Sequence, residues 1–140
     1  MREISTLMGF ELIRLCKAHR QRTEAALARL GLHVGQELLL LQLWQEDGLS
    51  QSQLAEAMEV DISTIGKAVQ RMERAGLLSR SPDAQDARIS RVYLTERGRA
   101  LHESVVHVWH TSEARLVEGL TEVEQVLLRR LLRQMITSLS

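Results

Sequence analysis

Aromatic residues are almost absent from this chain: they make up 3% of its 140 residues, although 44% of the residues are apolar. The core must therefore be built from Leu, Val, Ile, Ala and Met, which favours packed helices over a β-sandwich. Proline occurs once, at Pro82, so long helices can run on either side of it. The length suits one domain, or one domain with an oligomerisation segment.

Cysteine also occurs only once, as Cys16, so no disulfide can form within the chain. This usage indicates a reducing compartment. Residues 1–10 include Glu3 and lack an apolar run followed by a small-residue cleavage site, so they do not resemble a signal peptide. No stretch approaches the roughly 20 apolar residues of a membrane span. We therefore expect a cytoplasmic protein that has no membrane partner.

The sequence contains no nucleophile–base pair, phosphate-binding loop or metal triad at useful spacing. We therefore expect a protein that is not an enzyme and that needs no cofactor or metal. The net charge is zero, which at first argues against a nucleic-acid partner. Residues 61–99, however, carry eight Lys or Arg against five Asp or Glu, a local charge of +3 that the remainder balances with −3. Phosphate affinity responds to such a local basic face more than to the total charge.

Helical patterns dominate both ends of the chain. Apolar spacing predicts a first helix from about Glu3 to Leu30, ended by Gly31, and a second, largely buried helix over about Gly35–Glu46. Near the other end, Thr95 starts a predicted fifth helix that runs to about Gly119.

The last helix begins at the capping box Thr121-x-x-Glu124. Its apolar residues cover well over half of its circumference, more than a small domain can bury from one side. We therefore expect this helix and the first helix to pack against a second subunit.

The middle of the chain has a different order of elements. Ser50-x-x-Gln53 is a capping box that opens a third helix, and Asp61 caps a fourth, which Gly76 ends. The core face of the fourth helix is predicted to consist of Ile62, Ile65, Ala68, Val69 and Met72. Short strands over Leu77–Arg80 and Ile89–Leu94 then flank a turn at residues 81–88.

This order predicts a winged helix-turn-helix, in which the fourth helix enters the major groove of DNA. The expected fold is mainly α with a small two-stranded β wing. We expect residues 35–99 to form the DNA-binding domain, and residues 1–34 and 100–140 to form a helical dimerisation region.

The outer face of the fourth helix carries the candidate DNA contacts. Ser63, Thr64 and Lys67 lie towards its N-terminal end, where base edges are read, and Gln70 would pair with adenine if the helix tilts deeply. Arg71 and Arg74 are better placed for phosphates. Gly66 lies on the flank of this face, where it either allows close backbone approach or marks a lost base contact.

The wing adds two more candidate contacts. Arg88 is expected to enter the minor groove, which attracts arginine where it is narrow. Arg91, in the second strand, is also expected to contact DNA. A local Asp–Arg pair in a surface hairpin is the alternative role for Arg88.

Five features follow one another along the chain: a long first helix, the segment LGLHVGQELLLLQLW, the segment SQSQLAEAMEVDISTIGKAVQRMERAGLLSR, the segment PDAQDARISRVYLTERGRAL, and a pair of C-terminal helices. Together they resemble the MarR family of bacterial transcriptional regulators over essentially the whole chain. The resemblance implies a homodimer that binds a palindromic operator. It also implies a repressor that is released by a small phenolic or anionic effector, by oxidation or by metal. Many members carry Arg where this chain has Gln85, so wing affinity is expected to differ.

The resemblance places an effector pocket between the dimerisation helices and the DNA-binding domain. Arg14, His33 and Trp44 are the candidates to line it, because a buried polar group beside an aromatic ring suits an aromatic acid.

Two other modes of sensing stay open. Cys16 lies near Arg14, Lys17 and His19, which would favour a thiolate if the thiol were exposed, but we expect a small buried helix residue. The family's peroxide-sensing branch has its cysteine near the position of Gly9.

The histidines give the second mode. His102, His107 and His110 lie on the fifth helix, and the last two are three residues apart, a spacing that suits a shared metal with His19, His33 or a nearby Glu. We expect them to be exposed or at the dimer interface. A winged-helix module that docks protein rather than DNA is the remaining alternative.

Overall fold

The computed structural model describes residues 3–140 and confirms the mainly α fold with a small β wing. The first two residues of the expected dimerisation region lie outside the described residues. The helices are a short 3-10 turn at Ile4–Thr6 and then α1 Met8–Ala28, α2 Gln36–Gln45, α3 Gln51–Met58, α4 Ile62–Arg74, α5 Glu96–Ala100, α6 His102–Leu116 and α7 Glu122–Leu139. The strands are β1 Leu78–Pro82 and β2 Ser90–Leu94, which pair antiparallel.

The first helix begins later than predicted. Leu7 is extended, with ψ 142°, and separates the 3-10 turn from α1. The Thr6 hydroxyl donates to the carbonyl of Glu3 at 2.7 Å, a local bond that competes with a helical start. The predicted end is confirmed: Gly31 has φ 76°, and the Leu32 N–H donates to the Leu27 carbonyl.

The core lies between α2, α3, α4 and the base of the wing, and α1 and α6 contribute to one side of it. Its residues are almost entirely aliphatic, as the composition predicted. They are Leu27, Leu32, Leu39, Leu40, Leu43, Leu54, Ala55, Ile65, Val69, Met72, Leu77, Leu78, Val92, Leu94 and Val105.

One buried carboxyl group lies beside this aliphatic core. Glu37, in the first turn of α2, accepts a hydrogen bond from the Gly35 N–H at 3.0 Å. Burial raises the pKa of Glu37, and hydrogen bonds from the backbone N–H groups of Glu37 and Gly35 oppose the rise. Gly35 itself has φ 99°, so a glycine suits the start of this helix.

Both predicted capping boxes are present. The Ser50 hydroxyl accepts from the Gln53 N–H at 3.1 Å, and the Gln53 side chain accepts from the Ser50 N–H at 2.8 Å. Thr121 and Glu124 make the equivalent pair at the start of α7, and hydrogen bonds from Thr121 lower the pKa of Glu124. Asp61 is the N-cap residue of α4 as predicted, but its side chain makes no cap hydrogen bond.

The predicted fifth helix is wrong as a single element. Thr95 caps it as expected, since its hydroxyl accepts from the Gly98 N–H, but the helix is interrupted at Leu101 and ends at Leu116. The two parts have different partners: α5 lies against the wing and α6 packs on α1. Leu101 and Val105 continue the core across the interruption.

The strands of the wing are shifted from their predicted positions. Leu78 pairs with Leu94 at one end and Pro82 with Ser90 at the other, so Pro82 lies within β1. This is an edge strand, where the missing N–H of proline is tolerated. The backbone of Leu49 also pairs with β2, accepting from the Val92 N–H at 2.9 Å, which the sequence did not indicate.

The terminal helix presents its apolar residues to solvent in the single chain. None of the residues of α7 is buried. Large exposed apolar side chains also occur at the start of α1 and at its N-cap residue, namely Leu7, Met8, Leu12, Ile13 and Leu15. None of the helices in residues 3–140 is long and apolar enough to cross a membrane.

Candidate nucleic-acid interface

The recognition-type helix α4 has one buried face and one polar face. Ile65, Val69 and Met72 are buried, as predicted. On the opposite side four exposed side chains form no side-chain hydrogen bond within residues 3–140: Ser63, Thr64, Lys67 and Gln70. Their donors and acceptors are therefore available to a ligand.

The cations around this face fall into two groups. Arg80 pairs with Glu73 at 3.0 Å, Arg99 pairs with Asp47 at 3.1 Å, and Arg97 donates to the Ala75 carbonyl at 3.0 Å. In contrast, Lys67, Arg71 and Arg74 are exposed and form no ion pair within the described part of the chain. The uncompensated positive charge thus lies along α4.

Two residues of the predicted core face of α4 are less buried than expected. Ile62 is 54% exposed rather than buried, and Ala68 is only half-buried. Ile62 is the first helical residue, and side chains tilt towards the N-terminus of a helix, so it projects beyond the end of the core.

The tip of the wing is organised by Asp83. Its carboxylate accepts hydrogen bonds from the N–H groups of Gln85 and Asp86, both at 3.0 Å, and from the guanidinium of Arg91. These bonds lower the pKa of Asp83, with the Arg91 contact as the largest cause. The tip is further closed by the Asp83 N–H, which donates to the Ile89 carbonyl at 2.8 Å. The wing therefore has an internal scaffold of its own.

The two wing arginines have different roles. Arg91 is half-buried between Asp83 and the Gly48 carbonyl, which it reaches at 2.9 Å. The sequence did not indicate this internal bonding, which ties Arg91 to the tip of the wing and to the end of α2; its predicted DNA contact stays a prediction. Arg88 is 90% exposed and donates two hydrogen bonds to Asp86, at 3.0 and 3.2 Å. Hydrogen bonds from Arg88 lower the pKa of Asp86.

Asp47 is a functional support that the sequence interpretation missed. Its carboxylate accepts from the N–H groups of Gly48 and Leu94 and from Arg99. It therefore joins the end of α2 to the wing and to α5. Its position in an Asp-Gly helix stop was the available signal, but that pattern indicates only a turn.

The residues proposed for an effector pocket are not brought together. Arg14 is exposed on α1, 3.6 Å from Glu11, and His33 is exposed before α2. Trp44 is half-buried: its indole N–H donates to the Gly98 carbonyl at 3.0 Å, and its ring meets that of His102 edge-on at 4.9 Å. Trp44 thus joins α2 to the α5–α6 junction.

A groove between α1 and α6 has a composition that suits an anion. One section, about 560 Å³ in volume, is lined by Arg22, Arg29 and Arg115, with Glu118 as the acidic residue. A neighbouring section of about 490 Å³ shares Arg29 and includes His107 and one acidic residue, Glu103. Alanines and hydroxyl groups complete the lining of the first section, at Ala25, Ala26, Ala114, Thr111 and Ser112.

The other candidate sensing residues are dispersed. Cys16 is exposed in the single chain, so the expectation of a buried cysteine is wrong for the isolated protomer. Across residues 3–140, no group of three or more His, Cys, Asp or Glu side chains has the arrangement needed to hold a metal ion.

The helix pair α3 and α4, the free polar face of α4 and the wing with its internal hydrogen bonds define a winged helix-turn-helix DNA-binding protein. Comparison with known sequences agrees. The family model described as MarR family matches residues 32–90. The transcriptional repressor Rv2887 of Mycobacterium tuberculosis is 30% identical over 128 residues, which cover 91% of this chain and 92% of that protein. The chain therefore belongs to the MarR family, whose members are DNA-binding transcriptional regulators and not enzymes.

Solved structures give the same fold. The MepR–DNA complex of Staphylococcus aureus is 27% identical with a TM-score of 0.87, and the alignment covers 94% of this chain and 98% of that one. The PcaV regulator of Streptomyces coelicolor, in complex with its natural ligand, is 27% identical with a TM-score of 0.81 and a coverage of 98% and 96%. These similarities favour a DNA-binding regulator over a module that docks only protein.

Proposed function

We propose that this protein is a homodimeric repressor that binds a palindromic operator and is released by a small organic anion. The observation that carries this proposal is the set of free polar and cationic side chains on α4, next to a wing whose tip is hydrogen-bonded to Asp83. Residues 35–99 then act as the DNA-binding domain, and residues 1–34 and 100–140 as the dimerisation region. The relative Rv2887 is called a repressor, which supports repression rather than activation of transcription.

In this arrangement the N-terminal half of α4 contacts base edges through Ser63, Thr64 and Lys67. Gln70, Arg71 and Arg74 follow along the groove, with the two arginines at phosphates. Arg88 turns from Asp86 towards the minor groove, which is favourable because an exposed Asp–Arg pair contributes little by itself.

Binding to DNA is tested with fragments selected from genomic DNA and labelled for fluorescence anisotropy. Lys67→Ala should weaken binding about tenfold or more without lowering the melting temperature, since Lys67 is exposed and forms no side-chain hydrogen bond or ion pair within residues 3–140. Arg20→Ala, which removes an exposed cation from α1, is the matched control and should bind like the wild type. Equal losses for both variants would contradict the assignment of α4.

The apolar surface of α7 supports the homodimer. Val123, Val126, Ile136 and Leu139 are each more than 60% exposed in the single chain. So many large exposed apolar side chains on one helix are unusual for a monomer and are typical of an interface. The start of α1 carries further exposed apolar side chains, and we infer that both segments contribute to a two-fold symmetric contact.

Sedimentation equilibrium tests this contact. Val126→Asp should shift the protein towards monomer, because it places a charge in the proposed interface while leaving the core of the protomer intact. Gln134→Asp introduces the same side chain at an already polar, exposed position of α7 and should leave the dimer in place. A monomeric wild type, or an unchanged dimer with Val126→Asp, would refute the proposal.

The α1–α6 groove supports an anionic effector better than the dispersed Arg14, His33 and Trp44 do. Its first section has three arginines against one glutamate, a local charge of +2 in a chain of zero net charge. Arg115 is paired with Glu118 at 3.2 Å, whereas Arg22 and Arg29 form no ion pair within residues 3–140. The alanines provide an apolar floor for the body of the ligand.

Benzoate and benzamide are the matched probes for the groove, because they have nearly the same shape and differ in charge. Benzoate should raise the melting temperature and release DNA, and benzamide should do neither. Arg22→Gln and Arg29→Gln should remove the response to benzoate while DNA binding without it stays normal. A response that persists in both variants would place the effector elsewhere.

A redox-responsive regulator of the same fold is the second candidate, favoured by the exposure of Cys16. Peroxide would then release DNA from the wild type but not from Cys16→Ser. Equal behaviour of the two proteins would exclude this role for Cys16.

A further inference from the structure

We propose that Ile62 reads the methyl group of a thymine in the major groove. The proposal rests on the proposed function, because it requires α4 to be the base-reading helix. It starts from an exposed apolar side chain at the tip of that helix, where the sequence pattern had predicted a buried one.

The fold does not need Ile62 for its core. Ile65, Val69 and Met72 fill the buried face of α4 and are each at most 1% exposed. Ile62, at 54% exposed, lies beyond that face. Ile62 therefore places an apolar side chain beside the polar Ser63 and Thr64 at the exposed end of α4, where it is available for contact with DNA.

The position of Ile62 determines which part of the DNA it can contact. It is the first residue of α4, immediately before Ser63, and its side chain tilts towards the helix end that enters the groove. Among the four bases only thymine presents an apolar group in the major groove, its C5-methyl. Ser63 and Thr64 supply hydroxyl groups for polar base edges, whereas Ile62 supplies the apolar surface that a methyl group requires.

Gly66 gives an independent reason for this assignment. It lies one turn after Ile62, on the same flank of α4. A Cβ added at Gly66 would have no heavy atom within 4 Å, so the position is an open notch and not a site of close packing. The notch allows a base edge to approach the side of Ile62, which favours close approach over a lost contact as the role of Gly66.

Deoxyuridine differs from thymidine only by the absence of this methyl group, so replacing thymidine by deoxyuridine tests for a contact with that one group. Each thymine of a selected operator is replaced in turn, symmetrically in both half-sites, and binding is measured for the wild type and for Ile62→Ala. One replacement should weaken wild-type binding by about three- to fivefold per half-site, the effect expected for one buried methyl group. Ile62→Ala should bind unmodified operator more weakly and show no response to that replacement.

Val60→Ala is the matched control, since Val60 is also apolar and 40% exposed but lies in the turn before α4. It should keep the wild-type response to deoxyuridine. The proposal is overturned if no replacement weakens the wild type, or if Ile62→Ala responds to the same replacement as strongly as the wild type. If the wild type bound no unmodified DNA fragment, the proposed function would be overturned as well. That result would be known before any deoxyuridine or any protein variant is used, so the two failures are distinguishable.

Discussion

Replacing glycine by alanine should have opposite effects on stability at two positions of the DNA-binding domain. Gly66 and Gly98 both lie in helices, α4 and α5, so alanine gains helix propensity at each. Their surroundings differ. A Cβ at Gly66 would meet nothing within 4 Å, whereas a Cβ at Gly98 would lie 2.3 Å from the Leu77 carbonyl oxygen and 3.2 Å from a methyl group of Leu94.

The expected magnitudes follow from these distances. Gly66→Ala should raise the free energy of unfolding by about 1 kcal/mol, the usual difference between the two residues inside a helix. For a chain of this length, that corresponds to a rise in melting temperature of roughly 3–4 °C. Gly98→Ala should lower the free energy of unfolding by about 1–3 kcal/mol, because a backbone oxygen cannot rotate away from the new methyl group. The displacement would also strain the hydrogen bond from Trp44 to the Gly98 carbonyl.

Calorimetry on the two variants and the wild type measures the change in melting temperature for each variant. Fluorescence anisotropy measures their DNA affinity separately. Gly66→Ala should be more stable yet bind operator more weakly, since the new methyl group enters the notch beside Ile62. Gly98→Ala should be less stable. The reasoning would be refuted if both variants shifted the melting temperature in the same direction, or if Gly66→Ala bound operator as tightly as the wild type.

Three further variants test other parts of the structure. Leu40→Ala should lower the free energy of unfolding in urea by about 2–5 kcal/mol, since Leu40 is fully buried, whereas Leu41→Ala on the exposed side of α2 should cost far less. Glu37→Gln should become more stable relative to the wild type as the pH rises above 4.5, the ordinary pKa of glutamate. The raised pKa means that the folded wild type binds this proton more tightly than the unfolded chain does, so the wild type loses stability as the proton is removed. Melting curves of both proteins at about pH 4 and about pH 7 check the sign. Arg88→Ala should reduce the slope of log affinity against log salt by about 1 without changing the melting temperature.

Local hydrogen-bonding signals predicted most of the fold. The capping boxes at Ser50 and Thr121 mark helix starts correctly because their bonds are made within four residues. The predicted helix ends at Gly31 and Gly76 are also correct. Both glycines have positive φ, a local backbone conformation that few other residues adopt.

Features that depend on distant contacts were not predictable. Nothing local distinguishes Arg91, which lies between Asp83 and the Gly48 carbonyl, from a free surface arginine. The interruption at Leu101 likewise follows from the different partners of α5 and α6. The burial of Ile62 was inferred from helical spacing, but spacing does not show where the core ends.

The groove between α1 and α6 was not predicted, for a related reason. Arg22 on α1 and Arg29 at its C-cap are two helical turns apart, but only the packing of α6 against α1 brings Arg115 and the hydroxyl groups into the same groove. The sequence interpretation instead placed a pocket around Trp44, whose indole is engaged with Gly98.

Sequencing of genomic DNA fragments selected by the purified protein shows whether it binds operators as a symmetric dimer. We expect enrichment of a two-fold symmetric site whose half-sites are centred about one helical turn apart, because one α4 from each protomer reads one half-site. The same selection with Lys67→Ala should give little or no enrichment. Fragments without a shared motif, or a single unpaired half-site, would contradict a homodimeric operator-binding regulator.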